Sequence, residues 1–196
     1  MTKKNDVLDF LPENYEAPWW GWNYYFKFQD WDNKIRFLDS PILGWRIFVK
    51  EWDDIKKLLS PYKEKPAVPE NAMLDFWEPA YRKHVWLCKI FNYDEDCVQF
   101  MELDKQWIQK EIVDLLRDLD FWNPMWYDIK ITKEWQKKET RYFIKALPPK
   151  VFQNEEAIKI SRQIDLEIMF EGWDPFEMLK NKFQADSADW TEEEKF

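Results

Sequence analysis

Residues 127–150 read YDIKITKEWQKKETRYFIKALPPK, and the reading of this stretch decides the fold. Two runs of alternating character, 127–133 and 141–147, flank a short polar connection at 134–140. Period-two alternation bounded by polar residues predicts a hairpin of half-buried strands. In the first run Ile129 and Ile131 share one face, and Lys130 and Thr132 share the other. In the second, Tyr142 and Ile144 oppose Arg141, Phe143 and Lys145. A core that takes the isoleucine face leaves cations and an aromatic ring toward solvent, which suits an anionic, flat ligand. Pro148 and Pro149 end the second strand, because proline cannot donate to a ladder.

Working outward, 24–28, 34–38 and 43–50 read as three successive strands. Gln29-Asp30-Trp31-Asp32-Asn33 and Asp39-Ser40-Pro41 supply the turns between them. Such a meander opens an OB barrel, which binds oligonucleotides across its second and third strands. Ile35 and Phe37 are expected to point inward, and Lys34 and Arg36 outward. Burying Trp45, Ile47 and Val49 leaves Arg46, Phe48 and Lys50 outside, and a slip of one residue would reverse that. Residues 51–59 have helical spacing through Trp52, Ile55, Leu58 and Leu59. Pro61, Pro66, Pro69 and Pro79 punctuate the rest of an insertion at about 51–82, read as a packed loop, a lid over a strand or a docking surface. Residues 84–93 and 97–103 form a second hairpin around Asp94-Glu95-Asp96. An amphipathic helix follows over 106–119, with Asp104 as N-cap. Further helices are expected over 154–170, capped by Asn154, and over 175–183, with Pro175 in the first turn. These last two bury barrel surface or contact a second protomer, so a homo-oligomer stays open. The expected fold class is therefore mainly β with α appendages: a five-stranded OB-fold barrel with a helix between strands. Residues 1–23 form an extended arm, 24–150 the barrel core, 151–184 the C-terminal helices and 185–196 a disordered acidic tail.

Aromatic residues make up 19% of the chain, with 14 Trp, more than core filling requires. Surplus rings serve as stacking platforms for bases or as anchors of protein interfaces. The formal charge is −9, unlike the usual basic nucleic-acid binder. The tail from Ala185 holds five acids against Lys195, a net −4, so residues 1–184 retain −5. Any binding groove must be a local basic patch on an acidic body. Cys88 and Cys97 are too few for a disulfide framework and read as a reduced pair on neighbouring strands. No apolar run approaches the roughly 20 residues of a membrane span. The opening Met-Thr-Lys-Lys-Asn-Asp lacks the apolar core of a signal peptide, so an intracellular protein is expected.

The segments YDIKIT and RYFIKALPPK resemble the strand–loop–strand–PPK segment of single-stranded DNA-binding proteins encoded by tailed phages, which have an OB-fold core. Further matches stand in the order that family shows. They are Leu11-Pro12-Glu13-Asn14-Tyr15-Glu16, Asn33-Lys34-Ile35-Arg36-Phe37-Leu38, Lys83-His84-Val85-Trp86, Ile90-Phe91-Asn92-Tyr93-Asp94 and a helix after Leu103. The resemblance spans roughly residues 8–160, with a gap in the middle. It implies a protein that coats exposed strands during DNA replication or recombination in the cytoplasm of an infected host cell. The ending Glu192-Glu193-Glu194-Lys195-Phe196 is similar to the tip of bacterial single-stranded DNA-binding proteins, which partner enzymes grip through the last ring and carboxylate. Lys195 interrupts that pattern. By this likeness Asp189, Trp190, Glu192, Glu193, Glu194 and Phe196 are the expected contacts for replication or recombination proteins.

No catalytic constellation stands out, and no enzyme activity or cofactor is expected. His84 is the only histidine and sits on a predicted strand. His84, Cys88 and Cys97 lack the paired two-to-four-residue spacing of zinc ligands, so no metal is expected. Three glycines cannot build a phosphate loop. Binding would rest instead on a distributed set. The cations are Lys34, Arg36, Arg46, Lys50, Lys83, Lys130, Lys133, Arg141, Lys145 and Lys150. The rings are drawn from Trp20, Trp45, Phe48, Trp86, Tyr93, Trp135 and Phe143. Each stacked base contributes about 1–3 kcal/mol on any ring, and phosphate contacts weaken as salt rises. Two readings follow: a sequence-independent single-stranded DNA-binding protein, or an acidic interaction protein or DNA mimic on the same fold.

Overall fold

The computed structural model describes residues 24–52, 54–70, 72, 79–136 and 139–177, with the backbone alone at 135, 136 and 139. Period-two alternation becomes seven antiparallel strands: β1 (Trp31–Phe37), β2 (Ile42–Glu51), β3 (Asp54–Pro61), β4 (Arg82–Asn92), β5 (Cys97–Leu103), β6 (Ile129–Gln136) and β7 (Glu139–Ala146). β4 is the hub. One edge pairs with β5 along most of its length, and the other pairs first with β2 and then with β1. β1 continues into β6, and β6 into β7, while β3 borders β2.

The result is a β-rich, barrel-like body with two helices. Its interior gathers Ile35, Phe37, Cys88, Ile90, Met101, Leu103, Ile129 and Ile131, closed by Ile108 and Ile112 of α1 (Gln106–Leu116). Beside the free edge of β5, Phe26 N donates to Phe100 O (2.8 Å) and Phe100 N to Tyr24 O (2.7 Å). This rung carries Phe26 and Phe28 to the interior, where Phe28 packs edge to face on Tyr142 of β7.

β4 reads as a nearly continuous apolar run because both of its faces are buried. Its outer face, with that of β5, presents Val85, Leu87, Phe91, Val98 and Phe100. That face is covered by α2 (Glu155–Gln163), by the following 3-10 turn (Glu167–Glu171) and by Phe176. Asn154 caps α2 through its side chain, as expected, accepting from Ala157 N at 2.9 Å. The C-terminal segment thus buries the chain's own sheet. Phe170 of the 3-10 turn lies where a Cβ on Gly44 would stand, at 2.9 Å, as does Ser60 O. Glycine is required at 44 for close approach.

Several expectations are corrected. The helix expected over 51–59 is not formed: Glu51 ends β2 and 54–59 run in β3, held by eight cross-strand pairs from Gly44↔Pro61 to Glu51↔Asp54. The three-strand meander is not formed: 24–28 makes a single bridge to Phe100, and β1 and β2 each pair with β4 instead of with one another. The 134–140 connection is mostly ladder, which runs on to Gln136↔Glu139. Asp104 caps nothing; Lys105 holds the N-cap position of α1, and Asp104 is drawn into ion pairs with Arg46 and Lys83. The helix expected over 154–170 stops at Gln163, where Ile164 turns extended and Asp165 accepts from Glu167 N to start a separate turn. The helix at 175–183, the arm at 1–23 with Trp20, and the tail at 185–196 lie wholly or largely outside the described residues. Among the described residues no helix is long and apolar enough to cross a membrane.

Substituting Gly44 with alanine is expected to force Phe170 or the β3 backbone aside and to cost about 1–3 kcal/mol. Urea unfolding of Gly44→Ala beside the parent reads this directly as a lower midpoint.

Candidate nucleic-acid interface

The register of β1, β6 and β7 sorts their outward side chains into rows. Lys34 stands opposite Lys130, and Lys130 opposite Lys145, so three lysines cross three adjacent strands in one line. In the next row Asp32, Thr132 and Phe143 are aligned, and beyond them Glu134 opposes Arg141. The alternate residues Ile129, Ile131 and Ile144 point to the barrel interior, as the alternation in 127–147 demands. Like charges directly opposite on neighbouring strands destabilise a sheet. The row is tolerated here because two of its members have counter-charges, Lys34 on Asp128 and Lys130 on Asp32. Phe143, half exposed, extends the same face with an apolar ring.

The row is rooted on one buried carboxylate. Asp128, 1% exposed, accepts from Arg36 Nε at 2.7 Å and from the Tyr93 hydroxyl at 2.7 Å. Lys34 Nζ and Lys150 Nζ each lie 3.1 Å from its other oxygen. Arg36 is equally buried, and its Nη1 donates to the carbonyls of Met125 and Lys150. Burial alone would raise the Asp128 pKa, but hydrogen bonds from Tyr93, Arg36, Lys150 and Lys34 outweigh it and hold it at about 2. Burial, followed by the hydrogen bond to this carboxylate, pushes the Tyr93 hydroxyl well up. Lys34 and Lys150 flank the Tyr93 ring, at 4.0 and 5.5 Å from its centroid. One carboxylate thus faces three cations, and the cluster keeps an excess of positive charge at the end of the lysine row. Further along, Lys130 pairs with Asp32, which also accepts from Thr132 Oγ1 at 2.6 Å. These two bonds, with Lys130's the larger influence, lower the Asp32 pKa.

A second cluster lies on β2, β3, β4 and β5, with Asp104 just beyond β5. Arg46 bridges Glu102 and Asp104, Lys57 pairs with Glu102 at 2.9 Å, and Lys83 lies 3.6 Å from Asp104. Burial would lower the Arg46 pKa, yet the two carboxylates raise it, and Arg46 and Lys105 outweigh burial to lower that of Asp104. The Arg46 guanidinium sits over the Phe48 ring at 4.7 Å. On β2 Ile47 and Val49 are buried and Lys50 is exposed, as expected, but Trp45 is only half-buried and Arg46, expected outside, is largely covered. Arg46, Lys57 and Lys83 share the carboxylates of Glu102 and Asp104, and Lys105 Nζ also lies 3.3 Å from Asp104, so this cluster keeps a positive excess of its own.

The candidate set therefore divides. Lys34, Tyr93, Lys130, Arg141, Phe143, Lys145 and Lys150 belong to the β1–β6–β7 face and its rim. Arg46, Phe48, Lys50 and Lys83 belong to the second cluster. Trp45 stacks on Tyr62, with ring centroids 5.7 Å apart, and its indole N–H donates to Tyr62 O, so it braces the chain after β3. Arg36, expected outside, is interior because the segment through Lys150 and Phe152 covers it. Trp86, expected as a stacking ring, packs in the barrel core between Val85 and Leu87, whose side chains take the opposite face. Lys133 falls on the interior parity with Ile131, where it pairs with Asp30 at 2.7 Å. Trp135 is described by backbone alone, paired with Thr140. Asp189, Trp190, Glu192, Glu193, Glu194 and Phe196 lie outside the described residues. Sequence reading missed Asp128 as the organiser. Its signal was an acid placed where two strand alternations, 34–36 and 128–132, both put cations on the same face. It also missed Trp31, taken as a turn residue, whose indole is 82% exposed.

Among the described residues no three His, Cys, Asp or Glu side chains gather as a metal site requires. Cys88 and Cys97 are free and buried, and burial, joined at Cys97 by Glu95 and Asp96, raises both thiols, Cys97 to about 11. Comparison with protein-family models, with curated proteins and with solved structures finds no match.

Asp128→Asn leaves Arg36 buried without a counter-charge and is expected to cost about 3–5 kcal/mol near neutral pH. The folded-state pKa lies below the ordinary 3.8, so the carboxylate's contribution is complete above that value and is lost as pH falls toward about 2. Denaturant midpoints measured across this window should drop more steeply for the parent than for Asp128→Asn, in which Asp32 and Asp104 still titrate.

Proposed function

We propose that the chain is a sequence-independent single-stranded DNA-binding protein that acts by binding and not by catalysis. The observation that carries this reading is the line Lys34–Lys130–Lys145 across β1, β6 and β7, on a chain of net charge −9. Cations in line, beside exposed rings, supply the two ingredients of sequence-tolerant binding: backbone tracking and base stacking. We read the barrel as OB type, formed by β1, β4, β5, β6 and β7 with α1 between β5 and β6. In that frame the second and third strands are β4 and β5, and α2 covers their outer face. The ligand face accordingly moves to β1, β6 and β7. The sequence resemblance to tailed-phage single-stranded DNA-binding proteins agrees in kind, and with it come roles in replication or recombination in an infected host cell. Recruitment of partner proteins through the acidic tail, and any second protomer, belong to the same proposal.

One observation favours a protein partner instead. The chain as a whole carries a formal charge of −9, so its positive excess is confined to local clusters. An acidic interaction protein or DNA mimic would carry such a charge.

Titration of intrinsic tryptophan fluorescence with oligothymidylate, against duplex of equal length, separates the two. Saturable quenching by the single strand alone is expected, weakening as salt rises. Absence of quenching at low salt would leave the protein-partner reading. Lys145→Ala is expected to flatten the slope of log affinity against log salt by about 0.7, the share of one phosphate contact on a single strand. Its stability should change by no more than about 0.5 kcal/mol, as for ordinary surface substitutions.

A further inference from the structure

Three described residues other than glycine hold left-handed backbone: Trp31 (φ 87°), Trp52 (φ 59°) and Asp96 (φ 50°). Asp96 sits in the tight turn between β4 and β5, where aspartate tolerates that conformation. Trp52 occupies the short loop between paired Glu51 and Asp54, where a hairpin demands it. Trp31 has neither excuse. It lies at the head of β1, already in register with Lys133 of β6, and a bulky residue with positive φ is a genuine outlier.

The surroundings hold it there. Asn33, 1% exposed, accepts from Gln29 N at 2.7 Å and donates to the carbonyls of Gln29, Trp31 and Ile131 at 3.0, 3.2 and 3.1 Å. Both neighbours of Trp31 are tied down as well, Asp30 to Lys133 and Asp32 to Lys130 and Thr132. The backbone on either side is fixed, yet the indole itself has no hydrogen-bond or ring partner among the described residues and is 82% exposed. Strain that the surroundings over-determine, around a side chain that contributes nothing to packing, marks a position kept for a ligand. The neighbouring outward row holds Asp32, Thr132 and the exposed ring of Phe143, and the lysine row follows it. By register Trp31 stands opposite Lys133 at the head of β1, next to that outward row but not in it. Its flat, exposed, sequence-tolerant ring suits a nucleobase at the border of the cation-bearing face.

We propose that Trp31 is a preorganised stacking platform for one unpaired nucleobase, and that Asn33 is the positioning residue that holds it. This rests on the single-strand reading above. Paired bases do not offer their faces, so the platform also helps to discriminate single strand from duplex.

The test uses the full chain and two fluorescently labelled probes of about 12 nucleotides, within the range for one such module. One probe is oligothymidylate and the other is an abasic strand with the same phosphates. Anisotropy titrations compare the parent with Trp31→Gly, Asn33→Ala and Lys145→Ala. Trp31→Gly is expected to weaken thymidylate binding about tenfold and to leave abasic binding within about twofold. Glycine accepts left-handed φ without strain, so the thermal midpoint of this variant should hold or rise. Asn33→Ala should weaken thymidylate selectively too, and adding Trp31→Gly to it should bring little further loss. Lys145→Ala should weaken both probes alike. The platform is overturned if Trp31→Gly weakens both probes equally, or neither, while the parent binds thymidylate. If the parent binds neither probe, the single-strand reading itself fails and the platform falls with it.

Discussion

Asp128 is the carboxylate on which this structure turns. It is buried where a lone charge could not persist, and it persists because Arg36, Tyr93, Lys34 and Lys150 bind it together. Those four residues come from β1, from just beyond β4 and from the segment that follows β7. The carboxylate itself immediately precedes β6. One interaction therefore fixes how four pieces of chain meet at one end of the barrel. It also decides what the outer face can carry. With Arg36 spent on Asp128, the outward cations on this face are Lys34, Lys130 and Lys145, in line, with Arg141 and Lys150 at the rim.

That local surplus matters because the chain as a whole is acidic. At physiological ionic strength charges farther than about 8 Å are largely screened, so a ligand at the surface feels the nearest few residues more than the total. In the proposed reading, such a patch would hold an anionic strand without the long-range steering of a basic protein. Association should consequently be slower than for a basic binder, with affinity drawn from close phosphate contacts and stacking. The β4–β5 face cannot serve, since its apolar side chains are already the second core beneath α2. Covering that face frees β4 to be apolar on both sides and leaves the polar, cation-bearing strands at the periphery.

How much of this was legible in the sequence depended on the range of the cause. The β6–β7 hairpin was readable because alternation is local, and the structure sends Ile129, Ile131 and Ile144 inward and Lys130, Phe143 and Lys145 outward as the pattern requires. The β4–β5 hairpin, α1 and the Asn154 cap were readable for the same reason. Residues 51–59 were not, because Trp52, Ile55, Leu58 and Leu59 satisfy a helical spacing equally well, and only pairing with β2 decides for a strand. The fate of the cations was hidden too. Alternation says which face a lysine takes, but not that Asp128 waits beneath Arg36 or that Glu102 and Asp104 face Arg46. Trp86 was misjudged because β4 is buried on both sides, so its two faces do not divide into core and surface. Trp31 was overlooked because its role depends on a left-handed backbone that no spacing rule announces.

The most direct measurement is a map of backbone amide shifts in the labelled full chain as oligothymidylate is added. Shifts gathered at 31–34, 130–132 and 141–145, with Val98, Phe100 and α2 unmoved, are the expected result. Shifts centred on α2 or on the β2–β3 hairpin, with β1, β6 and β7 silent, would contradict the assignment of this face.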